Sequence, residues 1–226
     1  MGSIAETQVL KPRVGVATSS GRAYYRISNL LKKIDMPFVD VVIPEHGEND
    51  PSHPLAMFRG YGIVITTRRE RVQFLLDNIV CEEDLGEDAG LAKQKLISLL
   101  YPVRTNDVFV IGIDPGERTG IAAFLNQREI ESEVYMTPEA TLARVGALID
   151  NAPNVRKIVN IGAGNFYRAL NIARMVAEKY KNVVEINLVN ESGTSNLRRK
   201  SHLATGTRDQ RAARLIAFRT GTRYSP

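Results

Sequence analysis

The sequence predicts an α/β protein in two parts: a C-terminal domain built on a mixed sheet flanked by helices, preceded by a small open α/β domain. Three observations predict it. Short β-branched runs such as VGVAT, FVDVVI and VFVIGI are bounded by turn residues. Between several of them, apolar residues recur at helical spacing. The alternation also breaks once, at the acidic, glycine-containing stretch 81–90, and restarts at Asp107. The division this implies is a small α/β domain over 1–80, an acidic linker and connecting helix over 81–104, and the mixed-sheet domain over 105–226.

The elements follow in order. Residues 13–18 read as a buried strand, and Ser19, Ser20 and Gly21 supply turn and cap chemistry for a helix carrying Tyr24, Ile27, Leu30, Leu31 and Ile34. Residues 38–43 are a second strand, 44–54 a polar loop and 61–66 a third strand. Thr67 is placed to cap a helix containing Val72, Leu75 and Leu76. After the linker, 91–100 has helical periodicity. Strands at 108–113, 120–125 and 129–135 are separated by gaps short enough for an antiparallel meander. A helix begins near Pro138 and runs to Asp150; 157–161 is a strand, 166–180 a helix, 183–189 a strand and 209–219 a final helix.

The 226 residues are 43% hydrophobic and 24% charged, enough for one or two packed cores and too ordinary for bulk disorder. No apolar run approaches the ~18 residues a membrane span needs, and residues 1–12 hold no secretory-signal core. The single cysteine, Cys81, excludes an internal disulfide and any cysteine-based zinc site, and the three histidines, His46, His53 and His202, are scattered. The expected location is the cytoplasm. The net charge of +5 is mild, but its distribution is uneven: Arg198, Arg199, Lys200, Arg208, Arg211, Arg214, Arg219 and Arg223 fall in a stretch nearly free of acids. Such a stretch offers a basic face to a phosphate backbone; it is equally the composition of a solvated helix face with a basic tail. Arg68, Arg69 and Arg71 are candidates to extend that basic surface.

The chemistry-bearing segment is Ile111-Gly112-Ile113-Asp114-Pro115-Gly116-Glu117-Arg118-Thr119-Gly120-Ile121-Ala122. An apolar strand delivers a carboxylate to its tip, where rigid backbone holds it as a metal ligand requires. Asp-Pro-Gly is also good turn chemistry in its own right. Two further acids sit at element ends: Glu191, in Val189-Asn190-Glu191-Ser192-Gly193-Thr194, and Asp209, at the head of the last helix before the Ala212-Ala213 pair. A solvated strand end explains Glu191 as well, and the helix dipole favours an acid at Asp209 in any helix.

The Asp114 segment resembles the first-strand motif of the RNase H-like superfamily, and more narrowly that of the RuvC-type Holliday-junction resolvases and the related YqgF-type putative resolvases. Pro115 and Gly116 are similar to the RuvC type; the spacing of Arg118, Gly120 and Ala122 is similar to the YqgF type. The resemblance covers the C-terminal half only. It implies that Asp114, Glu191 and Asp209 are catalytic and hold Mg2+ or Mn2+, with Glu117 the nearest candidate for a fourth acid. It implies nucleic acid, DNA or RNA, as partner, and, from the two-fold symmetry of a four-way junction, a homodimer. The candidate phosphate contacts are Arg118, Arg198, Arg199, Lys200, His202, Arg208 and Arg211; Arg118 is also placed to pair with a metal-site carboxylate, and a solvated loop accounts better for Lys200 and His202. The sequence departs from the RuvC type at the strand 157–161, which is followed by Gly162-Ala163-Gly164-Asn165 with no glutamate, and from the YqgF type at Asn190 and Ser192, which replace charged neighbours of Glu191.

Three functions compete on these residues: a divalent-metal-dependent endonuclease, branched-DNA resolution included; a non-catalytic nucleic-acid-binding or scaffold protein of the same fold; and an ATPase of the actin, Hsp70 and sugar-kinase kind. The last needs a second strand–Asp–glycine hairpin, and the sequence shows one such hairpin.

Overall fold

The computed structural model describes residues 13–41, 61–72, 77–190 and 205–225. They form a mixed α/β structure with two sheets flanked by helices. The chain divides into two compact units, 1–92 and 93–226.

In the first unit, β1 (Arg13–Val16), β2 (Phe38–Asp40), β3 (Tyr61–Thr66) and β4 (Ile79–Cys81) make a parallel sheet in the order β2-β1-β3-β4. Helix α1 (Gly21–Lys33) starts where the Ser20 side chain accepts from the Ala23 amide, and Ala23, Ile27 and Leu31 form its buried stripe. Thr67 caps the four-residue α2 (Arg68–Arg71) in the same way.

Two expectations fail here. The acidic stretch does not begin as a linker: Cys81 ends β4, all three of whose residues are buried, a strand too short to show alternation in sequence. The acids that follow, in a 3-10 turn (Glu82–Asp84), fold back onto bases of the same unit. Glu82 pairs with Arg26, Asp84 pairs with Arg68, and Glu83 accepts from the Arg68 amide at 3.0 and 3.1 Å. Arg68 is therefore paired with an acid of its own unit, which offsets its charge at an exposed position. The expected helix residues Leu75 and Leu76 and the loop 44–54 lie outside the described residues.

The unit boundary falls within α3 (Ala89–Leu100). In the second unit β5 (Val108–Asp114), β6 (Thr119–Leu125) and β7 (Arg128–Tyr135) form the antiparallel meander, and α4 (Pro138–Asp150) follows with Thr137 as cap and Pro138 at its first turn. Strand β8 (Arg156–Gly162) lies parallel to β5, α5 (Phe166–Tyr180) is capped by Asn165, and β9 (Glu185–Val189) lies parallel to β8. Helix α6 (Arg208–Ala217) opens with a Thr207–Gln210 capping box. A short β10 (Thr222–Arg223) adds to β9, giving the order β10-β9-β8-β5-β6-β7.

Helix α6 stops two residues short of the expected end. Asn160, buried in mid-β8, donates from Nδ2 to the carbonyls of Ile216 (3.4 Å), Ala217 (2.9 Å) and Arg219 (3.1 Å), so a sheet residue closes the helix.

Because strand side chains alternate, the sheet has two different faces. Phe109, Ile111, Ile113, Ile121, Ala123, Leu125, Val159 and Ile161, all nearly or fully buried, form one. On this face Arg144 of α4 reaches the buried Glu131 of β7. The other face carries Gly112, Ala122 and Phe124 and packs against Ala213 and Ala217 of α6. The contact is backbone to backbone: a Cβ on Gly112 would lie 2.1 Å from the Ala213 carbonyl oxygen and 2.6 Å from the Ala217 amide nitrogen. Glycine is required there because the helix sits directly on the strand.

Candidate functional site

Asp114 is the last residue of β5, the strand flanked by β6 and β8, and is half-buried. It lies two residues beyond Gly112, hence on the α6 face. Its register partner is Gly120, and a Cβ on Gly120 would stand 2.3 Å from the carbonyl oxygen of Asp209. The fold thus brings Asp114 and the first turn of α6, with Asp209, to the same end of the same sheet face. Further ties hold that end of α6: Gln210 Nε2 donates to the Ser132 carbonyl of β7 at 2.6 Å, and the buried Arg214 grips Glu129 of β7 through Nε and Nη2, both at 2.8 Å.

The Asp209 carboxylate is largely shielded. Its Oδ2 lies 3.0 Å from Nη2 of Arg118, which reaches across from the β5–β6 turn. That oxygen is buried from solvent and, among the described residues, takes no well-aligned hydrogen bond; the guanidinium supplies opposite charge without the bonding geometry. An oxygen in this state, at the same end of the sheet face as Asp114, is one that a hard divalent cation could take as a ligand. Among the described residues, no group of three or more acids, histidines or cysteines converges as a metal site.

The remaining expected residues distribute as follows. Arg208 and Arg211 are exposed on the first turns of α6, next to Asp209. Glu117 is exposed in the β5–β6 turn. Arg214, counted in the basic stretch, is buried in its ion pair with Glu129 and unavailable to phosphate. Arg219 donates to the Asn190 carbonyl at 3.1 Å. Glu191, Arg198, Arg199, Lys200 and His202 lie outside the described residues.

Three residues at this sheet end carried no role in the sequence reading. Phe166 and Tyr167 open α5 directly after the glycine loop that follows β8, and they are 59% and 84% exposed. Phe166 falls on the stripe of Ala169 and Ala173, so periodicity places it in the core, whereas the structure leaves it exposed. The next residue, Arg168, is exposed and donates from Nη1 to the Gly116 carbonyl, tying α5 to the turn after Asp114. The signal available was positional: two aromatics and an arginine immediately after Gly162-Ala163-Gly164-Asn165.

A fourth residue, Glu70, belongs to the first unit. It is 8% exposed and accepts from Thr18 Oγ1 (2.7 Å), the Ser19 amide (2.7 Å), Ser19 Oγ (2.6 Å) and Thr67 Oγ1 (2.7 Å). Burial pushes its pKa up, but these donors outweigh burial and hold it at about 2. Thr67-x-x-Glu70 reads in sequence as a local capping box. No local pattern announces that the carboxylate also binds residues 51 and 52 positions earlier.

No protein-family model and no curated protein sequence matches this chain. Among solved structures, a crystal structure of Aa-Ago with externally bound siRNA is similar over 79% of this chain and 35% of that chain, with 11% identity and a TM-score of 0.26. This chain thus corresponds to about a third of that protein's length. Among the described residues no helix is long and apolar enough to cross a membrane.

Proposed function

We propose that the C-terminal unit is an RNase H-like nuclease that hydrolyses phosphodiester bonds of DNA or RNA in a divalent-metal-dependent reaction. The observation that carries this reading is the placement of Asp114 at the tip of β5, on the sheet face whose end is closed by the first turn of α6 bearing Asp209. Counted within the unit, the strand order from β7 to β9 is 3-2-1-4-5, with the second strand antiparallel to its neighbours.

In this reading Asp114 and Asp209, with Glu191, hold Mg2+ or Mn2+. Such an ion supplies charge compensation for the phosphate oxygens and an activated water. The chain's own contribution is orientation. The strand tip fixes Asp114, the glycine contacts fix Asp209, and Arg208 and Arg211 draw the phosphate backbone to this end. The exposed Phe166 and Tyr167 offer ring faces on which unpaired bases stack, which favours a substrate with unstacked nucleotides, a branched junction included.

A second reading, a nucleic-acid-binding protein without catalysis, draws on the Arg118–Asp209 pair, because an arginine already compensates the carboxylate. The ATPase reading loses ground. The first unit's sheet is entirely parallel and the second unit's is mixed, so the two are not copies of one half.

The test is cleavage of labelled four-way junction, duplex DNA, single-stranded DNA and RNA–DNA hybrid in magnesium or manganese, with a chelator control, by the wild type and Asp114→Asn. Metal-dependent cutting that the variant loses is the expected result. Binding without cutting, unchanged in the variant, sinks the nuclease and leaves the second reading.

A further inference from the structure

The ion pair at the sheet end combines three properties. Asp209 Oδ2 is buried and lacks an aligned hydrogen bond among the described residues. The group opposite it is not buried: the Arg118 side chain is 54% exposed, against 19% for Asp209. Arg118 stands in the short turn with the exposed Glu117, which Arg168 ties down at the Gly116 carbonyl, so its freedom lies in its exposed side chain; the backbone of Asp209 is pressed onto Gly120 and cannot follow it. A permanent structural pair looks different: Arg214 grips both oxygens of Glu129 with two bonds of 2.8 Å and is itself buried. In the same unit, then, one arginine is locked to its carboxylate and another merely faces one.

A loosely held guanidinium next to an unsatisfied carboxylate is an exchangeable counter-ion. A divalent cation carries twice the charge and takes oxygen ligands, so it would compete with a misaligned guanidinium at 3.0 Å for this carboxylate. The displaced head, on an exposed turn, remains at the mouth of the site. Its planar fork matches a phosphate's two non-bridging oxygens.

We propose that Arg118 is the counter-ion of Asp209 in the metal-free protein, that a divalent cation takes its place on the carboxylate, and that the released guanidinium then contacts a backbone phosphate. The inference rests on the metal-site reading above and deepens it. Arg118 and the metal compete in the free protein and cooperate once nucleic acid is present. Without metal, the pair keeps a largely shielded carboxylate charge-compensated.

The test separates this from an arginine that simply holds Asp209 in position. Mn2+ alone is titrated into the full chain and free Mn2+ is followed by electron paramagnetic resonance, for the wild type, Asp209→Asn, Arg118→Gln and Arg118→Lys. Removing a partly exposed competing charge pair should tighten Mn2+ binding by roughly 1.5- to 5-fold in Arg118→Gln. Arg118→Lys should stay near the wild type, and Asp209→Asn should weaken the site. A wild-type site that needs Asp209 but binds no tighter in Arg118→Gln overturns the exchange and leaves the metal reading standing. A wild type with no Asp209-dependent Mn2+ binding overturns both. In the presence of Mn2+, the affinity of Arg118→Gln for labelled single-stranded DNA should fall, and the slope of its salt dependence should drop by about one phosphate contact. An unchanged slope overturns the phosphate half of the proposal.

Discussion

Glu70 in the first unit and Asp209 in the second are both shielded carboxylates at the end of a sheet, yet they are held in opposite ways. Glu70 is fixed by its own oxygens: three hydroxyls and an amide donate to it at 2.6–2.7 Å. Asp209 is fixed by its backbone. Its helix is seated on Gly112 and Gly120, closed by Asn160 and tied to β7 by Gln210 and Arg214, while Oδ2 has an exposed arginine opposite it and no aligned bond. A carboxylate with every donor in place has no capacity left for a ligand, and it acts as a staple between β1–α1 and β3–α2. A carboxylate positioned by packing and left short of donors keeps that capacity.

The largest effect expected from this difference comes from the backbone that seats Asp209. Gly112→Val forces side-chain atoms into the Ala213 carbonyl and the Ala217 amide, neither of which can give way without moving α6. A loss of about 3 kcal/mol or more follows, with hydrogen exchange of the α6 amides accelerating first. A tolerated valine would show that the helix is not seated as described.

Glu70→Gln should come next, at about 2 kcal/mol in urea unfolding at neutral pH, because hydrogen bonds to a charged group become weaker neutral ones and the Thr18 and Thr67 hydroxyls must turn from donating to accepting. The same group sets a pH dependence. Its folded pKa of about 2 lies below the ordinary 4.5, so its contribution is complete above pH 4.5 and disappears as the pH falls to about 2. The amount lost across that window is on the order of 3 kcal/mol and should be missing from the Gln variant.

Asp209→Asn should be the smallest: stability unchanged within about 0.5 kcal/mol or slightly raised, since the change removes a buried charge and one loose, half-exposed pair. A loss as large as that of Glu70→Gln would abolish the distinction between the two carboxylates. Thr207→Ala sharpens the point from the other side. Losing the α6 cap should cost about 1 kcal/mol while leaving the carboxylate chemistry in place.

Much of this architecture was legible because its causes are local. The strand cores, the meander of β5–β7, the caps at Ser20 and Thr67, and Pro138 at the head of α4 follow from alternation, helical spacing and hydroxyls at helix starts, each written within a few residues. So does the delivery of Asp114 to a strand tip. The three-residue strand β4, the neutralisation of the acidic stretch by Arg26 and Arg68, the burial of Arg214 and the exposure of Phe166 were not legible. Each depends on tertiary surroundings rather than on adjacent residues. The sequence alone determined that Asp114 stands at a strand tip and Asp209 in the first turn of the last helix, because turn and cap chemistry are properties of adjacent residues. Only the tertiary structure decided that Glu70 is satisfied and that Asp209 faces Arg118 at the end of the sheet face where Asp114 stands. Hydrogen-bond satisfaction is set by atoms brought together across the sheet, and those distances do not exist along the chain.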